Sequence, residues 1–197
     1  MDAYEAAAEG HLVPILLAGE AGIGKTRLAQ ELTAWAQASD IPVHWGRCLE
    51  SGGAPALWPW TQVLDGIVSE DGDEGLPALA QDRADQFATF DAVSRVLAAH
   101  GDRPRIVVLD DIHQADLASL ELLRFLTRTA ADVPLLVIST KRTNATINDP
   151  DRDVLLGDIA RSGRRIELRG LDRGEIEQIV VDLGASTAGE DVTSSPV

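Results

Sequence analysis

Continuous apolar runs of strand length alternate along this chain with segments whose apolar residues recur at helical spacing. The runs lie at residues 12–18, 43–48, 105–111, 133–140 and within 164–170. After the first run, Leu28, Leu32, Trp35 and Ala36 fall at i, i+4, i+7 and i+8, which is one face of a helix. This alternation predicts an α/β fold with a mostly parallel sheet, and such sheets bind ligands at the carboxyl ends of their strands.

Helix signals and turn residues divide the rest of the chain. Further helices are predicted at residues 2–10, 61–70, 82–100, 112–128, 153–163 and 171–184, with Asp116 and Asp172 as N-caps. Residues 49–60 are predicted to form a loop, because Pro59 between Trp58 and Trp60 is too stiff for a helix interior. The two tryptophans either cover the core or contact a partner or an adenine ring.

Composition limits the compartment and the partners of the chain. Its 197 residues predict one domain, with a core at residues 1–183 and a disordered tail at 184–197. The net charge of −15 argues against direct binding of nucleic acid or of an anionic membrane. A single cysteine, Cys48, excludes an internal disulfide and is interpreted as a buried apolar residue rather than a nucleophile. With no signal peptide and no run of membrane-spanning length, we expect a cytoplasmic protein.

The stretch at residues 19–26, GEAGIGKT, fits the phosphate-binding pattern G-x-x-x-x-G-K-[ST]. It follows a predicted strand and opens a predicted helix. Glycines let consecutive backbone N–H groups turn toward a phosphate, and the helix directs its positive end at the same group. A glycine-rich turn without a ligand is disfavoured by both flanks. The predicted nucleotide-binding residues are Gly19, Glu20, Ala21, Gly22, Ile23, Gly24, Lys25, Thr26 and Arg27.

Two acids at the end of a buried run supply the other half of the predicted site. Lys25 is expected to reach the β- and γ-phosphates, and Thr26 is expected to offer its hydroxyl to Mg²⁺. Asp110 would help to hold Mg²⁺ beside Thr26, directly or through water. Asp111 would orient the water that attacks the γ-phosphate. The alternative is a pair of solvated acids at a strand end.

A cation and two further polar residues lie close to these acids. Arg142 follows the next predicted strand and is either a sensor of the γ-phosphate or a surface arginine. His113 and Asp116 either orient Asp111 or cap the following helix. The predicted catalytic set is Lys25, Asp110, Asp111 and Arg142.

Five segments together resemble the ATPase module of large bacterial signalling regulators. They are GEAGIGKTRLAQEL, WGRCLESGGAPALWPW, VVLDDIHQADLASLELLRFL, VISTKR and RIELRGLDRGEIEQIV. The resemblance is to LuxR-type and AfsR-like activators and to the module attached to some adenylate cyclases, within the STAND branch of AAA-related P-loop ATPases. It covers roughly residues 10–183 and implies a P-loop NTPase fold, a three-layer αβα sandwich with a five-stranded sheet. Gln114 stands where that pattern usually has tryptophan.

The resemblance implies ATP binding, Mg²⁺ as cofactor and slow hydrolysis that switches a regulator between states. Members of that family continue into a lid domain and often a DNA-binding domain, neither of which we expect in this chain. The expected partners are therefore a separate lid or regulatory subunit, or a second copy. Alternatives are a nucleotide-binding module without turnover and, less favoured, a small-molecule kinase.

Overall fold

A parallel β-sheet lies at the centre of the fold. The computed structural model describes residues 2–49, 54–71, 86–99, 104–130, 133–145 and 149–170, and beyond these only positions 174, 175, 177, 178 and 181. Within the described residues, five strands pair in the order β2-β3-β4-β1-β5, and every pairing is parallel. The strands are β1 (Leu12–Gly19), β2 (Val43–Arg47), β3 (Arg105–Asp110), β4 (Leu135–Arg142) and β5 (Arg164–Glu167).

Helices cover both faces of this sheet. They are α1 (Asp2–Ala8), α2 (Lys25–Ala38), α3 (Trp58–Asp71), α4 (Gln86–Ala99), α5 (Leu117–Thr129) and α6 (Pro150–Ser162). One apolar cluster joins Val107 and Val137 of the sheet to buried residues of α3, α4, α5 and α6. A second cluster joins Ile106 and Ile138, on the opposite face, to α1 and α2. The predicted three-layer α/β fold is confirmed.

The strand order decides which loops meet. Because β4 lies between β1 and β3, the carboxyl ends of these three strands form one continuous edge. The register aligns Gly19 at the end of β1 with Arg142 at the end of β4. It also aligns Leu109 of β3 with Ser139 of β4. Residues far apart in sequence therefore meet at this edge.

The predicted apolar face of α2 is only partly buried. Ala29 and Ala36 are fully buried, whereas Leu28 is 40% exposed and Trp35 is 46% exposed. Small alanine side chains let the helix lie close to the sheet, which rotates the larger residues outward. Trp35 instead makes an edge-to-face contact with Tyr4 of α1, at 6.2 Å between ring centroids.

Several predicted boundaries were wrong by a few residues. Helix α3 begins at Trp58, because Pro59 lies in its first turn, where no backbone N–H is required. Trp60 is fully buried and donates its Nε1 hydrogen to the Ser119 carbonyl at 3.1 Å, as expected of an aromatic residue that covers the core. Strand β3 ends at Asp110, and β4 runs on through Arg142.

Two predicted helices differ from the expectation in other ways. The segment expected to be helical from residue 112 divides into a single 3-10 turn at Ile112–Gln114, called η1 here, and α5. Helix α6 begins at Pro150, earlier than predicted, with Asp149 as its N-cap. The helix predicted after Asp172 and the tail at 184–197 lie largely or wholly outside the described residues. Among the helices that the structure describes, none is long and apolar enough to cross a membrane.

Asp116 is the N-cap of α5, as predicted, and it also anchors a loop. Its Oδ1 accepts hydrogen bonds from the backbone N–H of Ser119 at 3.0 Å and of Leu57 at 3.3 Å. Its Oδ2 accepts the Ser119 hydroxyl at 2.6 Å. Of the two roles considered for Asp116, the structure shows capping.

We expect Asp116→Ala to lower the free energy of unfolding by about 1–3 kcal/mol, because it removes a helix cap and leaves the Leu57 N–H without its acceptor. Urea unfolding followed by circular dichroism measures this loss. Asp149→Ala is the matched control, because Asp149 caps α6 by accepting hydrogen bonds from Asp151 N and Arg152 N, both within that helix. An equal loss in both variants would show that the second anchor of Asp116 contributes nothing.

Candidate functional site

A glycine loop joins β1 to α2 at the carboxyl edge of the sheet. Gly24, immediately before α2, has φ 101°, a left-handed conformation that side chains disfavour. A Cβ at Gly19 would lie 2.8 Å from Ile23 Cγ2 and 3.0 Å from the Leu168 carbonyl oxygen, so the backbone passes where no side chain fits. The loop therefore leads its backbone directly to the N-terminal end of α2.

Lys25 is folded back onto this loop. Its side chain is 6% exposed, and Nζ donates hydrogen bonds to the carbonyl oxygens of Gly19 at 3.1 Å and of Glu20 at 2.8 Å. Burial lowers the pKa of Lys25, an effect that the nearby Asp111 carboxylate opposes and Arg142 reinforces. The ammonium group is thus held at the loop in a partly dehydrated state.

Thr26 and Asp110, the two predicted metal ligands, lie in contact. Thr26 Oγ1 is 3.1 Å from Asp110 Oδ1 and 3.3 Å from Oδ2, and donates its single hydrogen to this carboxylate. Asp110 is only 9% exposed, although its carboxylate lies at the edge where the strands end. Two side-chain oxygens from residues 84 positions apart therefore converge beside the loop.

Thr140 is the last residue of the apolar run at 133–140, and the sequence analysis gave it no role. It is fully buried, donates its hydroxyl hydrogen to Asp110 Oδ1 at 2.6 Å and accepts the backbone N–H of Asp111 at 2.8 Å. Asp111 has φ 56° and ψ 47°, a left-handed conformation rare for a residue with a side chain. One hydroxyl thus fixes both acids. The available signal was a polar residue at the end of an apolar strand next to the acid pair.

Asp111 lies between two nitrogen-bearing side chains. Arg142 Nη2 is 3.8 Å from Asp111 Oδ2, and His113 Nδ1 is 3.7 Å from Asp111 Oδ1. Burial lowers the pKa of His113, and this effect outweighs the opposing effect of the Asp111 carboxylate. The lowered pKa favours the neutral imidazole. Asp111 is 30% exposed and Arg142 is 46% exposed, so both are accessible from solvent.

A cavity of about 220 Å³, called the loop cavity here, contains most of the predicted residues. It is lined by Ala21, Gly22, Gly24, Lys25, Thr26, Arg27, Asp111 and Arg142. Gly19, Glu20 and Ile23 line a neighbouring cavity of about 350 Å³ together with residues 167–170. Arg27 points largely into solvent and pairs with Glu31 at 2.5 Å.

Cavity size alone does not identify this site. A cavity of about 440 Å³ between α6 and the β4-β1-β5 part of the sheet contains none of the predicted residues. The chemistry favours the smaller loop cavity, because it combines the backbone N–H groups of a glycine loop with three cations, Lys25, Arg27 and Arg142, and a carboxylate. Elsewhere, burial raises the pKa of Cys48 to about 12 with help from Asp116, which disfavours this cysteine as a nucleophile.

Comparisons with known proteins concern the family and the fold of the chain. The sequence model of the family described as AAA ATPase domain matches residues 1–138. An uncharacterized protein of Rhizobium meliloti (strain 1021) is 26% identical over 82% of this chain and 18% of its own length. The chain therefore spans less than a fifth of that relative.

Two solved structures share the fold. The origin recognition complex (ORC) of Drosophila bound to DNA matches with TM-score 0.54 and 15% identity, covering 87% of this chain and 86% of that one. The ORC1 protein of Aeropyrum pernix in complex with DNA matches with TM-score 0.53 and 16% identity, covering 94% and 47%. At these identities the likeness is one of fold.

Proposed function

The chain belongs to the AAA ATPase domain family, and we propose that it binds ATP at the loop cavity and hydrolyses it slowly with Mg²⁺. The observation that carries this proposal is the contact between Thr26 Oγ1 and Asp110 Oδ1 at 3.1 Å. A phosphate loop by itself supports phosphate binding. A loop hydroxyl in contact with a buried carboxylate also supports a cation beside the phosphates.

The ligand set fits Mg²⁺ rather than a transition metal. Mg²⁺ prefers oxygen ligands and usually takes one or two from protein, with water and substrate phosphates completing its shell. Thr26 and Asp110 would hold it, and when bound it would neutralise charge on the β- and γ-phosphates. The residues that the structure describes contain no group of three His, Cys, Asp or Glu side chains that would suit a metal held by protein alone.

The protein groups around the phosphates have separate roles in this proposal. Backbone N–H groups of residues 21–26 and the ammonium of Lys25 bind the β- and γ-phosphates. Lys25 exchanges its two loop carbonyls for phosphate oxygens. Asp111 orients the attacking water, and Arg142 stabilises charge on the γ-phosphate.

We expect Thr140→Val to reduce turnover about tenfold or more while nucleotide affinity without Mg²⁺ changes little. Valine keeps the shape but leaves the Asp111 N–H without its acceptor and removes one of the two hydroxyl donors to Asp110. The measurements are steady-state ATPase rates and calorimetric nucleotide titration with and without Mg²⁺. Thr140→Ser should restore turnover, and Ser139→Ala, a buried neighbour on the same strand, should leave it unchanged. Equal loss in valine and serine variants would contradict the role of the hydroxyl.

The biological role that we propose is a nucleotide switch in a cytoplasmic signalling or transcriptional regulator of the STAND type. Support comes from the five motifs that resemble such regulators and from the length of the Rhizobium relative. A lid or regulatory subunit, or a second copy of the chain, would complete the site. The net charge of −15 favours partners other than nucleic acid for this chain, although two proteins of the same fold bind DNA.

A binding module without turnover is the second candidate, and one observation favours it. Asp111 lies within 3.8 Å of Arg142, so its carboxylate faces a cation rather than open solvent on that side. While it pairs with Arg142, the Asp111 carboxylate orients water poorly. Only a bound nucleotide that attracts Arg142 would release it. In that case the chain would bind nucleotide and act through a partner.

Calorimetric titration with MgATP, followed by a steady-state phosphate-release assay, tests the proposal. We expect a micromolar dissociation constant and slow release of phosphate. Binding without release would favour the second candidate. No binding of MgATP to well-folded protein would contradict both.

A further inference from the structure

A second cavity, called the Arg152 cavity here, lies beyond the carboxyl end of β2 and has a volume of about 230 Å³. Among the described residues, none lines both this cavity and the loop cavity. Its apolar lining includes Leu49, Pro55, Trp58, Pro59 and Ala115, and its polar lining includes Gln114, Asp116 and Arg152. A pocket of this size suits a metabolite smaller than a typical drug molecule.

Arg152 brings to this cavity a guanidinium group with unused hydrogen-bonding capacity. It lies in the first turn of α6, and its Nη2 donates to the carbonyl oxygen of His113 at 2.7 Å. Its Nε is buried and has no hydrogen-bond partner among the described residues. Buried donors in folded proteins are normally paired, so this atom indicates a missing acceptor.

The charged residues that line the cavity determine which ligand charge fits at each position. The Asp116 carboxylate already accepts three hydrogen bonds, from Leu57 N, Ser119 N and Ser119 Oγ. Its negative charge repels an anion placed beside it. The guanidinium group of Arg152 has the planar geometry that matches the two oxygens of a carboxylate.

We propose that the Arg152 cavity binds a small carboxylate with a flat apolar body, with the carboxylate on Arg152 and the body against Trp58 and the flanking prolines. Trp58 is half-buried, so one part of its ring system is fixed while the rest is available for stacking. The prolines add rigid apolar surface that loses little entropy on binding. No nucleotide is needed for this contact, so the proposal does not depend on ATP binding.

The full chain titrated with 4-fluorobenzoate, followed by fluorine NMR, tests this site. We expect saturable binding at least about tenfold tighter than that of 4-fluorobenzamide, which has the same shape without the charge. The comparison uses the unaltered protein and therefore does not depend on how any variant folds. Equal binding of the two compounds, or no binding of the benzoate up to about 10 mM, would overturn the proposal.

Variants of three cationic residues show which site of the protein binds 4-fluorobenzoate. Arg152→Gln should weaken 4-fluorobenzoate about tenfold or more. Arg161→Gln, on the same helix and 73% exposed, should not weaken it. Lys25→Ala should also leave benzoate affinity unchanged, because the phosphate loop is a separate anion site. Affinity lost in Lys25→Ala but retained in folded Arg152→Gln would assign the anion to the loop and overturn the proposal.

Discussion

Lys25→Ala is expected to weaken MgATP binding by at least about a hundredfold, because an ammonium that makes two or more charge-assisted hydrogen bonds contributes about 1.5–3 kcal/mol through each of them. In the protein without nucleotide, Nζ donates hydrogen bonds to the Gly19 and Glu20 carbonyls, which phosphate oxygens would replace. Isothermal titration calorimetry measures the change. The variant should remain folded, because alanine is a good helix former at the first position of α2.

The chain offers a matched control for this variant. Lys141 is the only other lysine in the sequence and lies on β4, at the same edge of the sheet, next to Arg142. Lys141→Ala removes the same charge and the same side chain without removing a group that lines the loop cavity. If both variants lost affinity equally, the effect would be one of net charge, and the specific role of Lys25 would be wrong.

Asp111→Asn is expected to reduce ATP turnover by about 10²–10⁴-fold, the usual contribution of a residue that positions or deprotonates a nucleophile. Asparagine keeps the size and tolerates the left-handed backbone of this position, so the turn at the end of β3 should persist. Nucleotide affinity should change little, since the carboxylate lies beside Arg142 rather than on the loop. Phosphate release under saturating MgATP, with calorimetric affinity alongside, separates the two effects.

Asp65→Asn is the control for this second variant, because Asp65 is an exposed acid on α3. It should leave turnover unchanged. Turnover that survives in Asp111→Asn would show that the water-positioning role belongs to another residue. In that case the neutral His113, 3.7 Å from Asp111, is the next residue to test.

Local patterns in the sequence were sufficient to predict the α/β fold and the two motifs from which the candidate site is built. The phosphate loop carries its own signature, because glycine, lysine and threonine are each required at fixed positions. The acid pair was recognisable because two aspartates end an all-apolar run. The N-cap at Asp116 was predicted from residue type and confirmed by its bond to Ser119 N.

Features that depend on distant partners were not predictable in the same way. The role of Thr140 depends on the placement of β4 next to β3, a pairing that no local pattern encodes. The outward position of Leu28 and Trp35 follows from how closely α2 approaches the sheet. The start of α3 at Trp58 was missed because proline is excluded from helix interiors but not from the first turn.

Strand β4 separates the strand that leads into the phosphate loop from the strand that ends in the acids. A slip of β4 by one residue would turn the Thr140 hydroxyl to the other face of the sheet and remove its hydrogen bonds to both acids. A ligand that bridges the loop and Asp110 therefore stabilises the register in which β4 pairs with β1 and β3. It also opposes local unfolding of these strands. Nucleotide should accordingly slow amide hydrogen exchange in β4, although β4 itself contributes only one side chain, Arg142, to the loop cavity.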